Sequence, residues 1–150
     1  MTNDGTGSEV RTIELANELR FRATPERVYR ALTTETLSWF PHTYGGERVL
    51  RIVFEPRVGG ALYEDWGDGR GHLYAQLVEF DPPLHWMTRG RLHAGTILDT
   101  TYDLEADGDH TILRTSKTAI GPMTNDEAAG IRRYGDLALF EAALRSAIEG

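Results

Sequence analysis

Residues 110–150 read HTILRTSKTAIGPMTNDEAAGIRRYGDLALFEAALRSAIEG, and a change of period inside this stretch decides the fold. From His110 to Ala119 the side chains alternate. Leu113, Thr115 and Lys117 share one face and Ile112, Arg114 and Ser116 the other, as in a strand. After Pro122 the period becomes helical. Thr124 and Glu127 form a T-x-x-E capping box, which satisfies two otherwise unpaired N–H groups. Ile131, Tyr134, Leu137, Leu144 and Ile148 then fall on one stripe. The spacing predicts a single long C-terminal helix of about 25 residues, about 38 Å at 1.5 Å per residue and able to cross a whole sheet.

Upstream, the pattern is strands and tight turns. Thr96 to Glu105 and Leu84 to Arg91 are two more strands, joined near Ala94-Gly95 and ended by Asp107-Gly108-Asp109. Ala61 to Trp66 and Gly71 to Phe80 form a hairpin around Gly67-Asp68-Gly69-Arg70, and Arg48 to Phe54 precedes it. The first strand runs from Thr12 to Arg22, with Ile13, Leu15, Leu19 and Phe21 in one register and Asn17 among them. Thr24-Pro25-Glu26 then starts a short helix carrying Val28, Ala31 and Leu32 inward. Thr34 starts a second short helix that ends near Trp39-Phe40-Pro41. An α+β domain follows: six to seven antiparallel strands in a curved sheet closed on the C-terminal helix, a helix-grip architecture.

The totals narrow the function. The chain has 150 residues, a net charge of −7 and no cysteine. That length buries a core without staples, and the absence of thiols excludes cysteine nucleophiles, disulfides and cysteine-ligated zinc. With a pI near 5.2 and no basic stripe, nucleic acid is not an expected partner. Residues 1–9 are polar and read as a disordered leader, and 10–150 as one domain. Without an apolar leader or a membrane-length apolar run, the expected location is the cytoplasm. Lys117 is the single lysine beside fifteen arginines.

Four stretches together resemble one known family. They are ATPERVYRALT at 23–33, Trp39, FEPRVGG at 54–60 and AQLVEFDPP at 75–83, where the family usually has glycine at Ala75. From about Thr12 onward the chain resembles the START-like (SRPBCC) superfamily, and within it the family of the C-terminal domain of the activator of heat-shock-protein-90 ATPase. That resemblance implies a pocketed domain without an invariant catalytic motif. Wider relatives include cyclases and aromatases acting on polyketides.

Several residues are candidates for a pocket. Lys117 points into it if the Leu113 face is the inner one, and desolvation then lowers its pKa and favours an amine able to hold a carboxylate or form a Schiff base. The plainer alternative leaves its head in water at the pocket mouth. Glu141 lies on the apolar helical stripe and is either a polar anchor or a partner of Arg145 one turn on. Trp39, Trp66, Tyr74, Trp86, Tyr102 and Tyr134 supply aromatic surface for a pocket or for the core. His72 or His93 is a candidate base.

No metal is expected. His42, His72, His85, His93 and His110 include no i, i+4 pair and no H-x-H, although Glu64 or Asp99 could complete a three-ligand set in space. No cofactor is expected either, because G-x-S-x-G, phosphate-loop and dinucleotide fingerprints are all absent from the sequence. The leading expectation is a binding module for a small apolar or amphipathic molecule held between sheet and helix. A polyketide cyclase-like enzyme is the second reading. A protein-interaction or chaperone-assisting domain is the third, in which a homodimer is one assembly, although outward Thr12, Glu14, Glu18, Arg20 and Arg22 are polar.

Overall fold

The computed structural model describes residues 7–93 and 95–150. Seven strands form one antiparallel sheet: β1 (Glu9–Phe21), β2 (Arg51–Phe54), β3 (Ala61–Gly67), β4 (Arg70–Asp81), β5 (His85–Arg91), β6 (Ile97–Asp107) and β7 (His110–Met123). Their order across the sheet is β1-β7-β6-β5-β4-β3-β2. Strands β2 to β7 form a meander, and β1 closes beside β7 over thirteen residue pairs, from Glu9 with Met123 to Phe21 with Thr111. The β3–β4 turn uses Asp68 and Gly69, both at positive φ (58° and 76°), the twist such a hairpin turn requires. Only residues 7 and 8 of the expected leader lie within the described residues ahead of β1; residues 1–6 lie outside them.

The helices cover one face of this curved sheet. Thr24 accepts from the Arg27 N–H at 3.2 Å and starts α1 (Pro25–Thr33), with Pro25 in its first turn. The Arg27 guanidinium then bonds both Glu35 oxygens at 2.8 and 3.0 Å and donates to the Ala147 carbonyl, tying α1 to the chain's last helix. The core between the layers holds Phe21, Val28, Leu77, Trp86, Leu113 and Leu144, all fully or nearly fully buried. Each large apolar side chain buried there stabilises the fold by roughly 1.5–3 kcal/mol.

Three expected elements are corrected. The single 25-residue helix is instead α2 (Asn125–Tyr134), a 3₁₀ turn (Leu137–Phe140) and α3 (Glu141–Glu149). The capping box does start α2, with Glu127 N–H on Thr124 Oγ1 at 3.1 Å and Thr124 N–H on Glu127 Oε1 at 2.8 Å. At Gly135, however, the backbone packs on β1 so closely that an added Cβ would lie 2.8 Å from Leu15 Cδ1. Asp136 then caps the next turn by accepting from Ala138 N–H at 3.0 Å, competing with continued helix. The second short helix after β1 is only a 3₁₀ turn, Thr36–Ser38. A further 3₁₀ turn at Gly46–Arg48 delays β2 to Arg51.

Candidate functional site

The break in the C-terminal helix sits over an unusual part of the sheet. Along β7, Leu113, Thr115, Lys117 and Ala119 face the helices. Register places Asn17 and Leu15 of β1 beside Thr115 and Lys117, and Tyr102 and Thr100 of β6 on their other side. Trp86 and Thr88 of β5 extend the same two rows. Amid an apolar core, the inner face therefore carries Asn17, Thr115 and Tyr102 in one row and Lys117, Thr100 and Thr88 in the next.

Asn17 clamps the helix break from both sides. Its Nδ2 donates to Asp136 Oδ1 at 2.8 Å, and its Oδ1 accepts from the Leu137 N–H at 3.0 Å. This holds the Asp136 carboxylate near Lys117, whose protonated form it favours. Burial outweighs that attraction and pushes the Lys117 amine down to about 8.

Among the described residues, Lys117 and the hydroxyls of Thr88, Thr100, Tyr102 and Thr115 make no side-chain hydrogen bond, and of these polar atoms only the Thr115 hydroxyl oxygen is fully shielded from solvent. Burial alone pushes the Tyr102 hydroxyl up to about 12, so it is a neutral donor at physiological pH. The Tyr102 ring stacks on Trp86 with centroids 4.8 Å apart and planes 9° apart, forming a flat aromatic wall beside the polar rows.

A second constellation forms where β2, β3 and β4 meet the loop after the first 3₁₀ turn. Glu64 of β3 is completely buried, and its carboxylate accepts from the Tyr44 N–H at 2.7 Å, the Gly45 N–H at 2.9 Å, Trp66 Nε1 at 2.9 Å and the Tyr74 hydroxyl. Burial works to raise the Glu64 pKa, but these donors outweigh it and hold the group below its ordinary value. The Tyr74 hydroxyl is raised by burial and by Glu64. His72 stacks on Tyr44 at 3.8 Å, and the Arg48 guanidinium lies 4.1 Å over the Trp66 ring. With four donors on two oxygens, Glu64 is a saturated staple rather than a free acid.

The sequence candidates thus separate into groups. Trp86, Tyr102 and Lys117 come together on the inner face, and Trp66, His72 and Tyr74 gather around Glu64. Trp39 packs beside the core and donates to the Ala31 carbonyl at 2.7 Å. Tyr134, expected on a buried stripe, is half exposed because α2 ends there, and it stacks edge-on with His42. Glu141 pairs with Arg145 at 3.3 Å at the start of α3. Thr88, Thr100, Asn17 and Asp136 were not singled out, although their signals were present. Asn17 interrupts an apolar register, and Gly135-Asp136 joins a helix-ending residue to a helix-capping one.

Two open surface concavities lie apart from this row. One, of about 470 Å³, is lined by Tyr63, Asp65, Arg70, His72 and Leu73. The other, of about 320 Å³, lies on the opposite face of the sheet and is lined by Arg89, Ile97, Asp99, Thr118 and Ile120. Asp99 is taken by Arg89 at 2.7 and 2.8 Å, and no metal-binding cluster of three acidic or histidine groups occurs among the described residues. No described helix is long and apolar enough to cross a membrane.

Comparison with known proteins bears chiefly on the fold. No family model matches the chain. An uncharacterized protein from Rhizobium leguminosarum superposes with a TM-score of 0.68 at 21% identity, over 95% of this chain and 97% of that one. The Mll3558 protein from Rhizobium loti gives 0.66 at 23% identity, over 93% and 99%. CalU16 from Micromonospora echinospora gives 0.60 at 13% identity, over 91% and 84%. In sequence, a 100-residue stretch is 31% identical to trigger factor from Azospirillum brasilense, covering 67% of this chain and 21% of that protein. The chain therefore spans about a fifth of that relative's length.

Proposed function

We infer that this chain is a helix-grip, START-like binding module that holds a small amphipathic molecule between the inner face of the sheet and the segmented C-terminal helix. One observation carries the reading. Lys117, Thr88, Thr100, Tyr102 and Thr115 face the helices without a hydrogen-bond partner among the described residues, beside the Trp86–Tyr102 stack. Small-molecule sites combine such an apolar wall with a few orienting polar groups. The segmented helix supports it too, because a short break over the polar rows offers a smaller barrier to a guest than a continuous helix.

Native mass spectrometry of freshly purified protein, set against its denatured mass, tests the reading. The expected result is a discrete extra mass that is lost on denaturation. A bare monomer that also binds none of a broad panel of amphipathic compounds would overturn it. A second reading, self-association, has its own support in an apolar strip on the outer face. There Ile97 pairs with Ile120, and Val10 with Pro122, and all three aliphatic side chains are largely exposed. A bare dimer would favour that reading instead.

A further inference from the structure

The inner-face rows also specify what kind of head group they suit. Lys117 has three N–H donors and no acceptor. The groups around it are Leu15 and Asn17 from β1, Thr100 and Tyr102 from β6, Thr88 from β5 and Asp136 from the helix break. Among the described residues, Asp136 is the charge that acts on Lys117, and its Oδ1 is already engaged by Asn17 and the Ala138 N–H. The remaining polar groups are hydroxyls that can donate toward an oxygen. A purely apolar guest would leave the amine sealed without a partner, and a cationic guest would meet it with like charge. A guest with two anionic oxygens answers both the charge and the unused donors.

We propose that this site recognises the carboxylate of a small organic acid, seated at Lys117 between the Thr100 and Tyr102 hydroxyls. The proposal rests on the binding reading above and adds the ligand's chemical class. The chain's net charge of −7 opposes anions at long range, but screening over about 8–10 Å at physiological salt leaves recognition to these short contacts.

Matched pairs of probes test it by calorimetry at pH 7: decanoate against 1-decanol, and 2-naphthoate against 2-naphthamide. In at least one pair the acid should bind about tenfold or more tightly than its neutral partner, the scale of one charge-assisted hydrogen bond. Lys117→Met should remove that preference, and Lys117→Arg should retain most of it. With unaltered protein, acid affinity should fall as pH rises from 7 to 9.5 and the amine loses its proton, whereas neutral affinity stays flat. This profile needs no variant to fold. Equal binding of acid and neutral partner, with no pH dependence, would overturn the acid assignment and leave the binding module standing. Failure of all four probes to bind would overturn the acid assignment, and together with a bare native mass and a silent wider panel it would overturn the binding reading as well.

Discussion

Two ionisable groups on the strands of this molecule, one fully and one partly buried, are treated in opposite ways. Glu64 is surrounded by donors: two backbone N–H groups, an indole and a phenol converge on its two oxygens. Lys117 is partly buried among hydroxyls that make no bond to it, with one carboxylate nearby whose hydrogen bonds go elsewhere. The first environment holds a charge in place at a profit to the fold. The second tolerates a charge at a cost. A saturated group welds a loop to a hairpin, whereas an unsatisfied group keeps its bonding capacity for something outside the chain.

The sharpest way to break this contrast is to remove each charge in turn. Glu64→Leu should destabilise the protein by about 3 kcal/mol or more in urea unfolding, because several buried donors lose their acceptor at once. Lys117→Met should change stability by less than about 1 kcal/mol or raise it, since a partly buried amine without a hydrogen bond gives way to an apolar chain of similar length. Equal losses for the two variants would erase the distinction between staple and site.

A smaller effect should come from Asn17→Ala, which frees both Asp136 and the Leu137 N–H. We expect a loss of about 2 kcal/mol from two hydrogen bonds. Acid affinity at Lys117 should shift as well, because Asp136 is no longer held beside it. A stability loss with no shift in affinity would mean that the helix break is only a structural joint.

The two groups should also leave opposite marks on the pH dependence of stability. The Glu64 pKa is lowered in the fold, so its contribution is present above the unfolded value near 4.5 and is lost as pH falls through the folded one. The Lys117 pKa is lowered to about 8 from 10.5, so above 8 the unfolded chain binds more protons than the folded one. Stability contributed through Lys117 therefore rises with pH from about 8 toward 10. Melting curves of the unaltered protein minus those of Lys117→Met should show that rise, and a flat difference would mean that the amine is solvated.

His85 supplies the smallest effect and the exposed counterpart of both. Its ring lies 2.7 Å from Asp103 and 3.0 Å from Glu79, which together raise its pKa above 6.5. Its contribution is full below 6.5 and disappears as pH rises through the folded value. Solvent keeps it under about 1 kcal/mol. His85→Gln should lower the melting temperature at pH 5.5 but not at pH 8.5.

Much of the architecture was legible because it depends on local periodicity. All seven strands, the Thr24 and Thr124 caps and the Asp68-Gly69 turn follow from alternation and turn chemistry that neighbouring residues settle among themselves. The helical stripe from Ile131 to Ile148 misled because periodicity tolerates one glycine. Only contact with Leu15 and Asn17, more than a hundred residues earlier, makes Gly135-Asp136 a break. Tyr134 moved outward for the same reason.

The site divides along the same line. The sequence alone determined that Lys117, Thr115 and Leu113 share a strand face, that the C-terminal segment is helical and amphipathic, and that these 150 residues carry no thiol. Only the tertiary structure decided which buried charge is satisfied. Glu64 and Lys117 are both single ionisable residues on strands, and nothing adjacent to either announces its partners. Those partners come from separate elements: a distant loop supplies Tyr44 and Gly45, and strand register sets Thr100 and Asn17 beside β7. Hydrogen bonds act over about 3 Å, so whether a buried group is paired depends on the three-dimensional approach of distant segments and not on local pattern.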